Sequence, residues 1–229
     1  MEKKEIIKVS FNLLVELLLL VFGFYGIIIN CFATGFMGNG SAFLYFTIQS
    51  NIAIILITLA FFILKIIGLF LKKDFINNIL YHIKFVFTVG ITITFLVFFI
   101  LLAPTMGASY LLSMTNLTVH LIAPLLALID FFCFDNKISF KKWSPLLGTV
   151  FPLCYLGFVF ICVGLNIRFN GQLVPYFFLD YETLAWFNIT EKGIGVFYYI
   201  IILLILVILL CYLFNLIVYI INKIGKKNS

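Results

Sequence analysis

Long apolar stretches alternate with short polar connectors along the chain, and six of these stretches are candidate membrane spans. A helix needs about 20 apolar residues to cross the hydrocarbon core of a bilayer. Unbroken apolar runs such as 200–210 favour helices over the alternating pattern of a membrane barrel. The pattern therefore predicts an all-α integral membrane protein, a bundle of six transmembrane helices forming a single domain over residues 1–229. The predicted spans are Val9 to Cys31, Ala42 to Leu64 with an extension to Leu71, Ile83 to Ala103, Tyr110 to Phe132, Pro145 to Leu165 and Ile194 to Ile221.

The composition agrees with a chain whose solvent is lipid. Hydrophobic residues make up 64% and charged residues only 10% of the 229 residues, whereas charged residues normally supply about a quarter of a soluble domain. Inside a bilayer every backbone polar group must be paired internally, which a helix achieves within one segment. The first apolar stretch is too long for the hydrophobic core of a signal peptide, so we expect it to stay as a membrane helix.

Basic residues lie almost entirely on one side of the predicted bundle. Of the 15 lysines and arginines, all but Arg168 and Lys192 fall at the termini, in the connectors around 72–73 and 135–142, or at the span ends beside them. Basic residues concentrate on the cytoplasmic side of membrane proteins. We therefore predict a multi-pass protein of the cell membrane with both termini in the cytoplasm. This orientation signal explains the net charge of +6, and no nucleic-acid partner is needed.

A few ionisable residues fall inside the predicted spans, where a charge costs several kcal/mol and points to a function by default. Lys65 and Lys84 lie near the predicted cytoplasmic ends, and we expect both side chains to snorkel toward water. Glu16 lies about two turns into the first span. It is either a buried partner for another polar group or part of a wet cavity.

Polar residues cluster in the second and fourth spans. Thr47 and Asn51 are four residues apart and share a helix face, as do Asn116 and His120. Taken singly, a helix threonine usually bonds its own backbone and a buried histidine is usually a satisfied core residue. In the predicted topology, however, Thr47 lies about one turn and His120 about two turns below the outer boundary. A hydroxyl beside an imidazole is the minimal arrangement for an activated oxygen nucleophile.

These polar residues belong to a pattern that resembles a known family. The pattern comprises Tyr45 to Asn51, then His120 followed by Pro124 and Asp130, then Pro175 to Asp180. It resembles the bacterial branch of a family of six-span membrane proteins, whose animal members include the androgen-induced and androgen-dependent hydrolases of fatty acid esters of hydroxy fatty acids. The likeness runs through nearly the whole chain, with three motifs in the expected order. Val174 departs from the bacterial pattern, which often has tyrosine before the proline.

The resemblance implies roles for two residues. In that family a membrane-embedded threonine is the proposed nucleophile and a histidine its general base, and these roles fall on Thr47 and His120. Asp130 and Asp180 match family positions without an assigned chemistry. Asp130 lies ten residues beyond His120, about 15 Å along the helix, which is too far to orient that imidazole. We expect Glu16, Asp130 and Asp180 to be structural polar residues.

The predicted function is an intramembrane lipid hydrolase that cleaves long-chain acyl esters with a Thr47–His120 dyad. Asn51, Gln49 or Asn116 could donate to the oxyanion, and neither a metal nor an organic cofactor is implied. The substrate partner would be a lipid or acyl ester drawn from the bilayer. Acyl transfer by the same dyad and a small-solute or ion carrier lined by Glu16, Asp130 and His120 are the alternatives. Candidate walls for an acyl pocket are Phe43, Phe46, Phe95, Phe98 and Phe99.

Overall fold

The computed structural model describes residues 3–33, 41–190 and 193–227. Within this part of the chain, six helices are long and apolar enough to cross a membrane. The predicted all-α, multi-pass architecture is therefore confirmed, with span boundaries shifted by a few residues. The helices are α1 (Ile7–Phe32), α2 (Phe46–Leu71), α3 (Asn78–Thr105), α4 (Met114–Cys133), α5 (Ser144–Gly164) and α6 (Val196–Ile224).

Large apolar side chains cover the outer surface of these helices. Phe11, Leu56, Ile161 and Ile202 are among many that are more than half exposed. A water-soluble monomer rarely exposes apolar patches of this extent, whereas lipid chains are a suitable neighbour for them. The exposed surface is thus consistent with a bundle that lies in a bilayer.

The two ends of the bundle differ in their connectors. We call the end at which α1 begins and α6 ends, with the connectors 72–77 and 134–143, the termini end. The opposite end, at which the described residues 41–45, 106–113, 165–190 and 193–195 lie, is the loop end. Lys72, in the left-handed conformation with φ 52°, ends α2, and the Asn77 side chain caps the start of α3 by accepting from the Leu80 N–H.

Three of the six helices change their winding near the loop end. A π turn has one more residue than an α turn, and such turns are frequent at functional sites. The chain also has 3-10 segments before α2, at the end of α3 and at the start of α5. The π turns are Ile29–Ala33 at the end of α1, Phe98–Leu102 in α3 and Thr118–Ile122 in α4, and the 3-10 segments are Ser41–Leu44, Ala103–Thr105 and Ser144–Thr149.

The long connector between α5 and α6 folds onto the loop end instead of extending into solvent. Val174, Phe178, Leu179 and Leu184 are all buried and join the main hydrophobic core. The connector contains a 3-10 turn, a short helix and a two-stranded antiparallel ladder in which Ile189 faces Ile194. These elements are Phe177–Leu179, Tyr181–Leu184, β1 (Ile189–Thr190) and β2 (Gly193–Ile194), and a further short helix, Ala108–Leu111, precedes α4.

The helices pack as a group of four with two more at its side. Helix α1 packs along α2 and α4, and α3 packs along α2 and α4. Helices α5 and α6 pack on α3 and on each other. Aromatic rings of α3, α4 and α6 (Phe85, Phe131 and Phe214) meet near the termini end, with ring centroids about 6 Å apart.

Gly26 sets the approach of α1 to the π turn of α4. A Cβ atom at this position would lie 2.8 Å from Val119 Cγ1 and 2.9 Å from Thr118 Oγ1. Neither neighbour moves easily, because valine is stiff at χ1 and the Thr118 hydroxyl donates to the Met114 carbonyl at 2.7 Å. The absence of a side chain at Gly26 thus allows close contact between the helix backbones, as small residues do in membrane bundles.

We expect Gly26→Ala to lower the free energy of unfolding by about 1–3 kcal/mol, the usual cost of overpacking a filled interior. The matched control is Gly157→Ala in α5, where an added Cβ meets no heavy atom within 4 Å. This control should leave stability unchanged or slightly raised, since alanine favours helix over glycine. Thermal or denaturant unfolding in detergent measures both. Equal stability of the two variants would contradict the close-contact interpretation.

Candidate functional site

Thr47 and His120 lie within reach of each other near the loop end of the bundle. Thr47 is the second residue of α2, and His120 lies in the π turn of α4. The Thr47 Oγ1 atom is 3.3 Å from His120 Nε2. A nucleophile–base pair is often this loose without substrate. The structure therefore brings together the two residues that the sequence pairs as a dyad.

The π turn of α4 follows from the local sequence. Pro124 has no N–H, so the carbonyl of residue 120 cannot receive the usual i→i+4 hydrogen bond from it. The chain has an extra residue in the turn just before this proline, where the Ala123 N–H donates to the Thr118 carbonyl five residues back. The widened turn contains His120 and places its ring toward α2.

The other ring nitrogen of His120 indicates the tautomer. Nδ1 lies 3.2 Å from the Asn116 carbonyl oxygen. A carbonyl can only accept, so in the neutral imidazole Nδ1 carries the hydrogen and Nε2 is left as an acceptor. That acceptor faces the Thr47 hydroxyl, which is the arrangement a general base requires. The backbone of α4 thus takes the orienting role for which Asp130 lies too far away.

Phe98 holds the imidazole in place from the opposite side. Its ring stacks on His120 with centroids 3.8 Å apart and an interplanar angle of 20°. Phe98 is itself the first residue of the π turn in α3. The π turns of α3 and α4 therefore meet at His120, which is 9% exposed.

Tyr176 from the long connector also reaches Thr47. Burial raises the pKa of this phenol to about 12, against opposing hydrogen-bond interactions with Thr47, Tyr155 and Phe46. Its hydroxyl therefore keeps its proton at neutral pH and can donate. Tyr155 belongs to the same group, and its hydroxyl donates to the Leu44 carbonyl at 3.1 Å. Sequence reasoning missed Tyr176, although it lies in the 175–180 motif directly after a proline.

An apolar cavity of about 850 Å³, counting the space at its open side, lies against Thr47. It is bounded by the start of α2, the middle of α5, the loop-end half of α3, the α5–α6 connector and one face of α6. Leu153 lines the cavity and is also 47% exposed, so the cavity reaches the lipid-facing surface beside α5. Of the five phenylalanines predicted as walls, Phe46 and Phe98 line it.

The three amides predicted as oxyanion donors have their N–H groups bound elsewhere. Asn51 Nδ2 donates to the carbonyls of Thr47 and Val119 at 2.8 and 3.1 Å. Gln49 Nε2 donates to the Phe43 carbonyl, and Asn116 Nδ2 donates to the Tyr110 carbonyl and the Ser113 hydroxyl. These amides fix the backbone around the dyad. The Tyr176 hydroxyl, which interacts with Thr47, is the remaining candidate donor.

Asp180 has a capping role. Its carboxylate accepts from the backbone N–H groups of Glu182 and Thr183 and from the Thr183 hydroxyl at 2.7 Å. An aspartate at this position satisfies the free N–H groups of a helix start. Asp180 thereby orders the connector that presents Tyr176, and it does not belong to the dyad.

Glu16 and Asp130 lie in a separate cluster near the termini end. Glu16 contacts the ammonium groups of Lys65 and Lys84 at 2.7 and 3.4 Å, and Asp130 contacts Lys84 at 2.5 Å. Asp135, just beyond α4, also contacts both lysines. We call these five residues the charge cluster. It links α1, α2, α3 and α4, in agreement with structural roles for Glu16 and Asp130.

The predicted snorkelling of the two lysines is wrong. The Lys84 side chain is fully buried, and its ammonium lies 4.2 Å from the centre of the Phe61 ring. The Lys65 side chain is only 12% exposed and donates to Asn12 as well as to Glu16. Carboxylates are available on the neighbouring helices, so turning inward gives each ammonium paired contacts that the headgroup region would have to replace.

Comparison with protein-family models, with curated proteins and with solved structures finds no match to this chain.

Replacing Lys84 by methionine should destabilise the protein strongly. The substitution keeps the length of the side chain but leaves three buried carboxylates with one ammonium, a loss of about 3–5 kcal/mol for a broken buried pair. Unfolding in detergent measures it. Lys137→Met is the control, since Lys137 forms an exposed pair with Asp74 at 3.7 Å and such pairs contribute at most about 1 kcal/mol. Equal melting of the two variants would contradict a stabilising charge cluster.

Proposed function

We propose that this protein is a membrane-embedded threonine hydrolase that cleaves the ester bond of a long-chain acyl lipid. The observation that carries the proposal is the contact between Thr47 Oγ1 and His120 Nε2 at the wall of an apolar cavity. A threonine hydroxyl is a weak nucleophile by itself and becomes reactive when a positioned base removes its proton. The tautomer of His120 supplies such a base.

The reaction would proceed in two halves. Thr47 Oγ1 attacks the ester carbonyl while His120 Nε2 takes the hydroxyl proton, and the negative charge of the tetrahedral intermediate falls on the former carbonyl oxygen. The Tyr176 hydroxyl can donate to that oxygen, as donors in oxyanion holes do. The ester bond then breaks, and His120 gives its proton to the leaving alcohol. Water, activated by the same imidazole, releases the fatty acid and restores Thr47.

The cavity supports an acyl substrate. Its lining resembles that of small-molecule sites, which are mostly apolar with a few converging polar groups. Among the described residues that line it, none is charged. Its open side at Leu153 faces the lipid-covered surface, so a chain could enter from the bilayer without crossing water.

The alternatives differ in what supports them. Acyl transfer uses the same dyad and the same acyl-threonine, with a lipid hydroxyl in place of water in the second half. A carrier needs a polar path, but the charge cluster holding Glu16 and Asp130 lies at the other end of the bundle from His120. The cavity beside Thr47 therefore favours catalysis over transport.

Orientation and family membership belong to the same proposal. The concentration of basic residues at the termini end supports cytoplasmic termini in the cell membrane. The dyad would then lie toward the outer leaflet. The Thr47, His120 and 175–180 motifs support a relation to the six-span family of fatty acid ester hydrolases.

Covalent labelling with a long-chain alkyl fluorophosphonate tests the nucleophile. We expect wild-type protein to label and Thr47→Ala to lose labelling completely, because the reacting oxygen is removed. His120→Ala should slow labelling by about 10²–10⁴-fold, the usual contribution of a general base. Tyr176→Phe should slow it by about 10²-fold through loss of one oxyanion donor. In-gel detection of a tagged probe gives the rates.

Thr118→Val is the matched control for these variants. Thr118 is another threonine at the same level of the bundle, and its hydroxyl donates to the Met114 carbonyl. The Thr118→Val protein should label at the same rate as the wild type. Thr47→Ser should keep part of the reactivity. A wild-type protein that does not label, or a Thr47→Ala protein that labels equally well while folded, would refute the nucleophile assignment.

Filling the cavity tests the acyl substrate. Leu203 of α6 lines the cavity, so Leu203→Trp should shorten the space left for a chain. We expect about a tenfold or greater loss in labelling rate with a long-chain probe, comparable to the discrimination that apolar pockets achieve. A short-chain probe should react nearly as before. The difference between the two probes is the measurement.

Leu209→Trp provides the control on the same helix. Leu209 is exposed on the lipid-facing surface and does not line the cavity. Both probes should react with this variant as with the wild type. An equal loss of labelling rate with both probes in Leu203→Trp would indicate general damage to the protein. An unchanged rate with both probes would mean that the acyl chain of the substrate does not bind in this cavity.

A further inference from the structure

The charge cluster is remote from the dyad and has no part in the proposed hydrolysis. Lys65 lies eighteen residues beyond Thr47, about 27 Å along α2. The cluster lies inside the four-helix group near the termini end, and three of its side chains, Glu16, Lys84 and Asp130, are fully buried. Ionisable groups at such depth are rare in membrane proteins and mark functional sites by default.

The charges of the cluster do not balance. Glu16, Asp130 and Asp135 are three acids, whereas Lys65 and Lys84 supply two positive charges. With every group ionised, the cluster would hold a net charge of −1 in an interior of low dielectric. An uncompensated buried charge costs several kcal/mol even after relaxation. One more positive charge is therefore required at this site.

The contacts of Asp130 and Asp135 leave no room for an additional positive charge at their carboxylates. Asp130 Oδ1 accepts from Asn12 Nδ2 at 2.8 Å, and Asp130 Oδ2 faces the Lys84 ammonium at 2.5 Å. The orientation of the Asn12 amide is fixed, because its oxygen accepts from Lys65 at 2.5 Å and an ammonium can only donate. Asp135 meets Lys65 with one oxygen at 2.7 Å and Lys84 with the other. All four oxygens thus contact a donor, although the contact of Asp130 Oδ2 with Lys84 is an ion pair without regular hydrogen-bond geometry.

Glu16 differs from the aspartates in one atom. Its Oε1 is shared by Lys65 and Lys84, but its Oε2 is buried and has no hydrogen-bond partner among the residues that the structure describes. Asp130 Oδ2 also lacks a hydrogen bond of regular geometry, but it is in ion-pair contact with the Lys84 ammonium at 2.5 Å, whereas the ion-pair contacts of Glu16 are made through Oε1. A proton can be placed on Glu16 Oε2 without pointing at the hydrogen of a neighbouring donor.

The electrostatics of Asp135 agree with this assignment. Burial by itself raises the pKa of Asp135, but the charges of Lys84 and Lys65 outweigh it, so that the pKa lies below its ordinary value. Asp135 is therefore ionised and does not hold the missing positive charge. The groups that act electrostatically on Glu16 are Lys65 from α2, Lys84 and Tyr81 from α3, Asp130 from α4 and Asp135 from the following connector.

We propose that the charge cluster is a proton-binding site in which Glu16 carries one proton on Oε2 at neutral pH. The proton makes the cluster electrically neutral. A metal ion is a poorer occupant: the carboxylate oxygens lie within 4.8 Å of one another, but two ammonium groups already occupy their surroundings. The Lys65 side chain is 12% exposed toward the termini end, which gives the proton a route for exchange from that side.

Infrared spectroscopy in an ester-free detergent tests the proposal. A protonated carboxyl has a C=O stretching band separate from the amide I band, and the band shifts in D₂O. We expect wild-type protein at neutral pH to show the band of one protonated carboxyl per chain. It should disappear reversibly as the pH is raised, with α1 packing less firmly once the cluster is negative.

Charge-changing variants provide the sharper test. The number of protons bound to the carboxylates of the charge cluster should equal its number of acidic residues minus its number of lysines. Glu16→Gln should abolish the band. Asp130→Asn should also abolish it although Glu16 is intact, since two acids then face two lysines. Lys65→Met should double the band. Asp180→Asn, which changes the exposed capping carboxylate, should leave it unchanged. Circular dichroism and size-exclusion chromatography check that each variant is folded.

A wild-type spectrum without a protonated carboxyl would overturn the proposal, whether or not metal is found with the protein. A band that survives Glu16→Gln would overturn the choice of Glu16. A band that survives in folded Asp130→Asn would overturn the charge-balance argument. If an acid variant fails to fold, the wild-type titration and Lys65→Met still decide the outcome. None of these readouts depends on the fluorophosphonate chemistry, so the two proposals fail independently.

Discussion

The scarcity of water inside a bilayer is the constraint on which this structure depends. A polar group that leaves the headgroup region must find a partner within the protein. The chain meets this demand by gathering its polar side chains at two places, near opposite ends of the helix bundle. At the termini end, opposite charges hold α1 to α4 together. At the loop end, hydroxyl, amide and imidazole groups bind one another and the backbone.

The charge cluster and the polar residues around Thr47 and His120 differ in how their side chains are packed. In the charge cluster, every carboxylate is in ion-pair contact with at least one lysine, so the site is tightly specified. At the loop end the π turns depart from regular helix and turn His120 and Phe98 toward each other. Departures from regular winding of this kind are frequent at functional sites. The same helices thus combine a rigid, charge-paired half with a half whose irregular backbone shapes a cavity.

The sequence is sufficient to predict the fold class and the proximity of Thr47 and His120. Helical periodicity puts Thr47 and Asn51 on one face, and span counting puts Thr47 and His120 at similar depth, so their meeting could be predicted. The partners of Lys84 could not, because Asp130 and Asp135 lie far along the chain and only the packing of α3 against α4 joins them. The role of Tyr176 depends on the path of a connector with little regular structure. The residue types of Asn51, Gln49 and Asn116 suggest oxyanion donors. The role of each amide is set instead by the backbone carbonyl to which it donates.

Tyr176 has a consequence for how the protein matures in the membrane. The ribosome delivers the helices from α1 onward, so Thr47 and His120 can meet once α4 is inserted. The tyrosine follows α5, and the connector that contains it is held partly by contacts with α6, including those of Phe178 with Tyr199. A chain with four spans would therefore have the Thr47–His120 pair without the Tyr176 hydroxyl. The last two helices complete this group late in synthesis, so a partly inserted chain would lack the tyrosine beside Thr47.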